Sequence, residues 1–172
     1  YRTTMKIILE HTNNVSAKLI QFWMVVDAFV HGEKPTFTYN HALIEHNGIV
    51  WEAISPKVKE WSITEHYNQR KFRKGYKTIE FVLDLTDDEI ELAILYLRSQ
   101  VGKSYEYSNF ILHPIRTFLN KWVGNSTDKQ QYCYELALRM LKAINKYNRD
   151  IFINPREFLK AIEKGNSSLE TL

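Results

Sequence analysis

The dipeptide Asn47-Gly48 limits what this chain can fold into more than any other feature. It lies between two strand-like runs, Phe37 to Glu45 and Ile49 to Ile54. A two-residue hairpin turn of type I′ needs φ > 0 at both central positions, and Asn-Gly meets that demand with little strain. The turn sets the pairing: His46 opposes Ile49, Leu43 opposes Glu52 and His41 opposes Ile54. Side chains alternate between faces with period two. His41, Leu43, Glu52 and Ile54 therefore share one face, and Ile44, His46, Trp51 and Ala53 share the other. His41 and Glu52 become diagonal neighbours, about 7–8 Å apart between backbone positions and within reach of long side chains.

The remaining elements follow from local signals. Met5 to Leu9 reads as a strand, Pro56 closes the second hairpin strand, and Lys77 to Leu83 alternates well enough for a third. Ser16 is placed to cap a helix starting near Ala17, while Trp23 to Val30 fits a helix or a strand equally well. The stretch Trp61 to Gly75 is polar and aromatic, with room for one short helix after Thr64. Thr86-Asp87-Asp88-Glu89 is a capping box, followed by an apolar stripe at Ile90, Ala93, Ile94, Leu97 and Val101, and Gly102 ends that helix. Gly102 to Tyr107 reads as a loop, and Asn109 to Trp122 as helical on either side of Pro114. A helix from Cys133 to about Tyr147 comes next. A last helix is capped by Asn154, with Pro155 at its first position and Phe158, Leu159 and Ile162 facing inward. This pattern predicts an α+β fold, a small and mostly antiparallel sheet packed against helices, in one domain spanning residues 1–172.

Composition narrows the class. With 172 residues, 44% hydrophobic and 25% charged, the chain can bury a core of its own. A net charge of +3 is too small to point to a nucleic-acid partner, and the run 70–74 reads as a solvated basic loop. The most apolar segment, Leu19 to Val30, is broken by Gln21 and Asp27 and falls short of the about 20 apolar residues needed to cross a bilayer. A single cysteine excludes an intrachain disulfide and is compatible with a reducing compartment. The composition is that of an ordinary soluble globular protein, and no secretory signal is seen, which leaves the compartment open.

That cysteine is the chemical focus. Cys133 sits where a helix begins, after the polar run 124–129, with Leu136, Ala137, Met140, Leu141 and Ile144 at helical spacing behind it. A helix N-terminus carries partial positive charge and favours a thiolate, the form in which cysteine is nucleophilic. The competing reading is a small buried hydrophobe. His41 and Glu52 supply the other two members of a thiol–imidazole–carboxylate constellation: the imidazole takes and returns a proton, and the carboxylate orients it. His46, on the opposite face, is expected to be structural or exposed; His11, His31, His66 and His113 lie in or near loops with no carboxylate at an evident pairing position. A zinc site from His41, His46 and Cys133 is disfavoured, because alternation parts the two histidines and no second cysteine is present. No metal or other cofactor is expected.

Five segments together resemble the circularly permuted, papain-like amidases of the NlpC type, in which the histidine strand precedes the cysteine helix. They are Asn40 to Ile44, Gly48 to Ala53, the Gly102-Lys103-Ser104-Tyr105 loop, Tyr132 to Leu136 and Asn154 to Phe158. The chain departs from that family in lacking Gly-Asp in the first strand, and in having Tyr134 where a small serine follows the cysteine. The resemblance implies a permuted papain-like fold and a cysteine-dependent peptidase or amidase with Cys133, His41 and Glu52 as catalytic residues. Tyr105 and Tyr134 would then line the substrate cleft. The implied substrates are peptides, cell-wall peptide amides or acyl-lipids, the last shared with lipid acyltransferase-like enzymes. A non-catalytic binding or structural protein on the same fold is the alternative.

Overall fold

The computed structural model describes residues 4–12, 18, 21–22, 25–26, 28–29, 32, 34, 39–70, 76–105, 130–131, 133–146 and 158. Among them the chain is α+β. Five strands form an antiparallel sheet in the order β5-β1-β2-β3-β4: β1 (Met5–His11), β2 (His41–His46), β3 (Ile49–Ile54), β4 (Lys57–Ser62) and β5 (Lys77–Leu83). Two short strands, β6 (Ser104–Tyr105) and β7 (Gln130–Gln131), extend it beyond β4, and only their pairing is parallel. The helices whose full bounds lie among the described residues are α1 (Ile63–Arg70), α2 (Asp87–Gln100) and α3 (Cys133–Ala143).

The hairpin has the register that its turn predicts, with His46 opposite Ile49 and Ile44 opposite Trp51. Asn47 and Gly48 both take positive φ, 49° and 78°. β2 starts at His41, later than the apolar run suggests. Asn40 is the reason: its amide side chain accepts from the Thr12 backbone N–H at 2.9 Å and donates to the Thr12 carbonyl at 2.8 Å, which ties the entry of β2 to the end of β1.

The two faces of the sheet carry different cores. Met5, Ile7, Leu9, Ala42, Ile44, Trp51, Ala53 and Val58 face the layer of α2 and α3, where they meet Ile90, Ala93, Leu97, Leu136, Ala137, Met140 and Leu141. The other face holds a small apolar cluster of Ile8, Leu43 and Val50 under Trp61 and Ile63, at the start of α1. Period-two alternation along β1, β2 and β3 produces this split.

Four local details differ from expectation, each for an identifiable reason. The stretch after Pro56 is a full strand, β4, reached through a turn with a cis Ser55–Pro56 bond. Helix α1 starts at Ile63 because Ser62 and Glu65 form a capping box: the Glu65 N–H donates to Ser62 Oγ at 3.1 Å, and the Ser62 N–H donates to Glu65 at 3.2 Å. Part of the Gly102 to Tyr107 loop is the strand β6. Helix α3 stops at Ala143 rather than near Tyr147, because Asn145 takes a left-handed φ of 57°. The Lys146 N–H then donates to the Leu141 carbonyl and the Asn145 N–H to the Lys142 carbonyl, a Schellman ending.

The Thr86–Glu89 capping box forms as predicted, and α2 ends before Gly102 at φ +87°. The described positions between 18 and 29 are helical. The Asn109 to Trp122 helix lies outside the described residues, as does most of the last helix; its Phe158 is helical and buried against Tyr134. No helix among the described residues is long and apolar enough to cross a membrane.

Candidate active site

The site forms where β2 and α3 begin. Cys133 is the first residue of α3, His41 the first of β2, and α3 packs on β2 and β3. Glu52 sits in the middle of β3, one step past the Ile44–Trp51 pair, and alternation puts it on the same face as His41. The diagonal contact is made: His41 Nε2 lies 2.7 Å from Glu52 Oε2. The Cys133 side chain also acts on this ring and favours its charged form.

The electrostatics follow from these contacts. Burial opposes charge on His41, but the interaction with Cys133 and the hydrogen bond to Glu52 outweigh burial and push the imidazole up to about 10. Burial likewise opposes charge on Glu52. Hydrogen bonds from His41 and His66, with the charges of His41 and Arg70, nevertheless hold its carboxyl well below the usual range. Cys133 itself is fully buried.

Four residues that the sequence did not single out as site members, His66, Arg70, Glu10 and Tyr76, complete the network that includes Glu52. His66, expected near a loop without a carboxylate partner, instead lies inside α1 with two. Its Nε2 is 2.5 Å from Glu10 and its Nδ1 is 3.3 Å from Glu52. Arg70, one helical turn further on, donates to Glu10 from one nitrogen and to Glu52 from the other, the latter at 2.8 Å. The Tyr76 hydroxyl also donates to Glu10. Glu10 reaches this place because it pairs with His41 across β1 and β2 and so shares its face. The Ser62-x-x-Glu65 capping box was the available signal: once α1 is placed from it, His66 and Arg70 fall at i and i+4 on one side.

The two tyrosines fare differently. Tyr134 does not line a cleft: it is 1% exposed, its ring packs edge-on against Phe158, and its hydroxyl donates to the Tyr39 carbonyl. Its position on α3 turns it into the core between helix and sheet. The backbone of Tyr105 belongs to β6, and its side chain lies outside the described residues. His46 is buried and 3.3 Å from the Thr4 carbonyl, away from the site, while His11 contacts Gln21 at 3.0 Å. His31 and His113 lie outside the described residues.

A pH dependence of stability follows. Glu10 and Glu52 titrate below their ordinary 4.5 in the folded chain, so their contribution is present above pH 4.5 and is lost as pH falls through the folded values. His41 and His66 titrate above their ordinary 6.5, so theirs is full below pH 6.5 and is lost as pH rises, for His41 on approach to about 10. The urea midpoint is expected to be highest between pH 4.5 and 6.5 and to decline on both sides. A midpoint still rising from pH 6.5 to 9 would contradict this account.

No family model and no curated protein matches the chain. Among solved structures, the chain is similar to the metalloprotein yiiX from Escherichia coli O157:H7, with a TM-score of 0.55 and 18% identity, over 81% of this chain. The match spans 64% of that protein's length. At this identity the likeness concerns the fold alone.

Proposed function

We propose that this chain is a cysteine-dependent acyl-transfer enzyme, a hydrolase of amide or ester bonds on a permuted papain-like fold. Cys133 is its nucleophile, His41 its proton carrier and Glu52 the orienting carboxylate. The observation that carries the reading is an imidazole held by Glu52 at 2.7 Å at the start of β2, the strand on which the helix led by the only cysteine of the chain packs. The raised pKa of His41 keeps the shared proton on the ring at neutral pH, so His41 enters the reaction as the acid. The Cys133 sulfur attacks the acyl carbon and forms a C–S bond. His41 passes its proton to the leaving nitrogen or oxygen as that bond breaks, which leaves a thioester. Water then attacks the thioester, gives a proton to His41 and releases the acid, and the thiolate returns. The NlpC-type resemblance of the hairpin and cysteine segments points to peptide or cell-wall amides, or to acyl-lipids, as the substrate class.

The structural neighbour yiiX is described as a metalloprotein. Here Glu10, Glu52, His41 and His66 would be the nearest donor set, and it does not suit a cation. Arg70 and a doubly engaged His66 already occupy the cationic positions between the two carboxylates.

The complete burial of Cys133 favours a second reading, a binding or structural protein whose thiol is silent. Incubation with p-nitrophenyl acetate and intact-mass analysis separates the two. The enzyme reading expects one acetyl group on the Cys133 peptide of the wild type and none on Cys133→Ala. An unmodified wild type that also resists iodoacetamide would establish the silent thiol.

A further inference from the structure

Glu52 receives more than an orienting residue needs. Besides His41, it is contacted by His66 and Arg70, and both of these also reach Glu10. We propose that His66, Arg70 and Glu10 are positioning residues that form a permanently charged cluster with Glu52, holding it ionised and aimed at His41 throughout the reaction. The inference rests on the reading of Cys133, His41 and Glu52 as the catalytic triad.

The geometry dictates the charge state of His66. An ionised carboxylate only accepts hydrogen bonds, and a neutral imidazole has one N–H and one lone pair. Both ring nitrogens of His66 face carboxylate oxygens, at 2.5 Å and 3.3 Å. A lone pair on either nitrogen would confront an oxygen, so both carry protons. Two negative groups, Glu10 and Glu52, are then balanced by two positive ones, His66 and Arg70, before His41 is counted.

That balance matters because His41 loses its proton during acyl transfer. A lone buried Glu52 would at that moment face a neutral ring and would favour taking up a proton, since an unpaired buried carboxylate is costly. With His66 and Arg70 in place, Glu52 keeps compensating charge whether His41 is charged or neutral. Glu10 completes the cluster by holding the second nitrogen of each cation. The groups around His66 are Glu10 from β1, His41 from β2, Glu52 from β3, Arg70 and Tyr67 on its own helix, and Tyr76 ahead of β5.

Two measurements test this. In the wild type, ¹H–¹⁵N spectra of the histidine rings are expected to show His66 still protonated on both nitrogens above the ordinary 6.5, as its two carboxylate contacts require. A single neutral tautomer there overturns the proposal. In the second, iodoacetamide alkylation of Cys133 is followed against pH. His66→Gln and Arg70→Gln are expected to move the acid limb up by about one pH unit, because each removes a positive charge that favours loss of the thiol proton. Arg70→Lys, which keeps the charge, is expected to recover most of that shift. If the Gln variants only melt earlier and their curves superimpose on the wild type, the cluster is packing alone and the triad stands without it. If His41→Ala leaves the wild-type curve unchanged, the triad reading falls and takes this inference with it.

Discussion

Replacing His41 by alanine is expected to lower acyl-transfer turnover roughly 10²–10⁴-fold, the range that general acid–base groups contribute. The same change should abolish rapid alkylation of Cys133 at about pH 6, where an ordinary thiol hardly reacts. The fold should survive, because Glu52 keeps its hydrogen bonds from Arg70 and His66 when His41 is gone. His46→Ala is the matched control: His46 contacts the Thr4 carbonyl and does not touch the site. Turnover is measured on an activated ester, with the melting temperature of each variant alongside. Equal losses for the two variants would move the chemistry off His41. Glu52→Gln is less clean than a sequence reading suggests. An amide in its place leaves His66 and Arg70 sharing the single charge of Glu10, so some loss of stability should accompany the loss of rate.

Arg70→Met is expected to destabilise the fold by about 3–5 kcal/mol, the cost of breaking a buried ion pair from one side. Arg70 is 3% exposed, and its removal leaves Glu10 and Glu52 facing each other with His66 as their shared cation. In a chain of this size, each kcal/mol corresponds to about 2–4 °C in Tm, so a drop of about ten degrees should be visible in a melt. Adding Glu10→Gln should recover part of the loss, since it removes one of the stranded charges; the two sites touch, so the effects will not add. Urea unfolding of the two single variants and the double variant supplies the coupling. A loss below about 1 kcal/mol for Arg70→Met would class the pair with exposed salt bridges and contradict the burial argument.

Much of the frame is legible locally. Asn47-Gly48 determines the turn, the turn determines the register, and the register brings His41 and Glu52 to one face, where they meet at 2.7 Å. The Thr86–Glu89 box and Gly102 bound α2 for the same reason: each is a short-range hydrogen-bond or dihedral demand that a few residues satisfy by themselves. The tertiary structure alone decides the rest. Whether the Cys133 helix start meets the His41 strand start depends on how α3 lies across β2 and β3, which no local pattern encodes. Tyr134 looked like a cleft residue from its place beside Cys133, yet the rotation of α3 about its axis turns it into the core. Glu10, His66 and Arg70 are 56 and 4 residues apart in succession, and they become one charge cluster only when β1 pairs with β2 and α1 folds back over that face. Alternation says which face each side chain occupies; only packing says which charges are then shut away from water together, and burial is what makes their pairing obligatory.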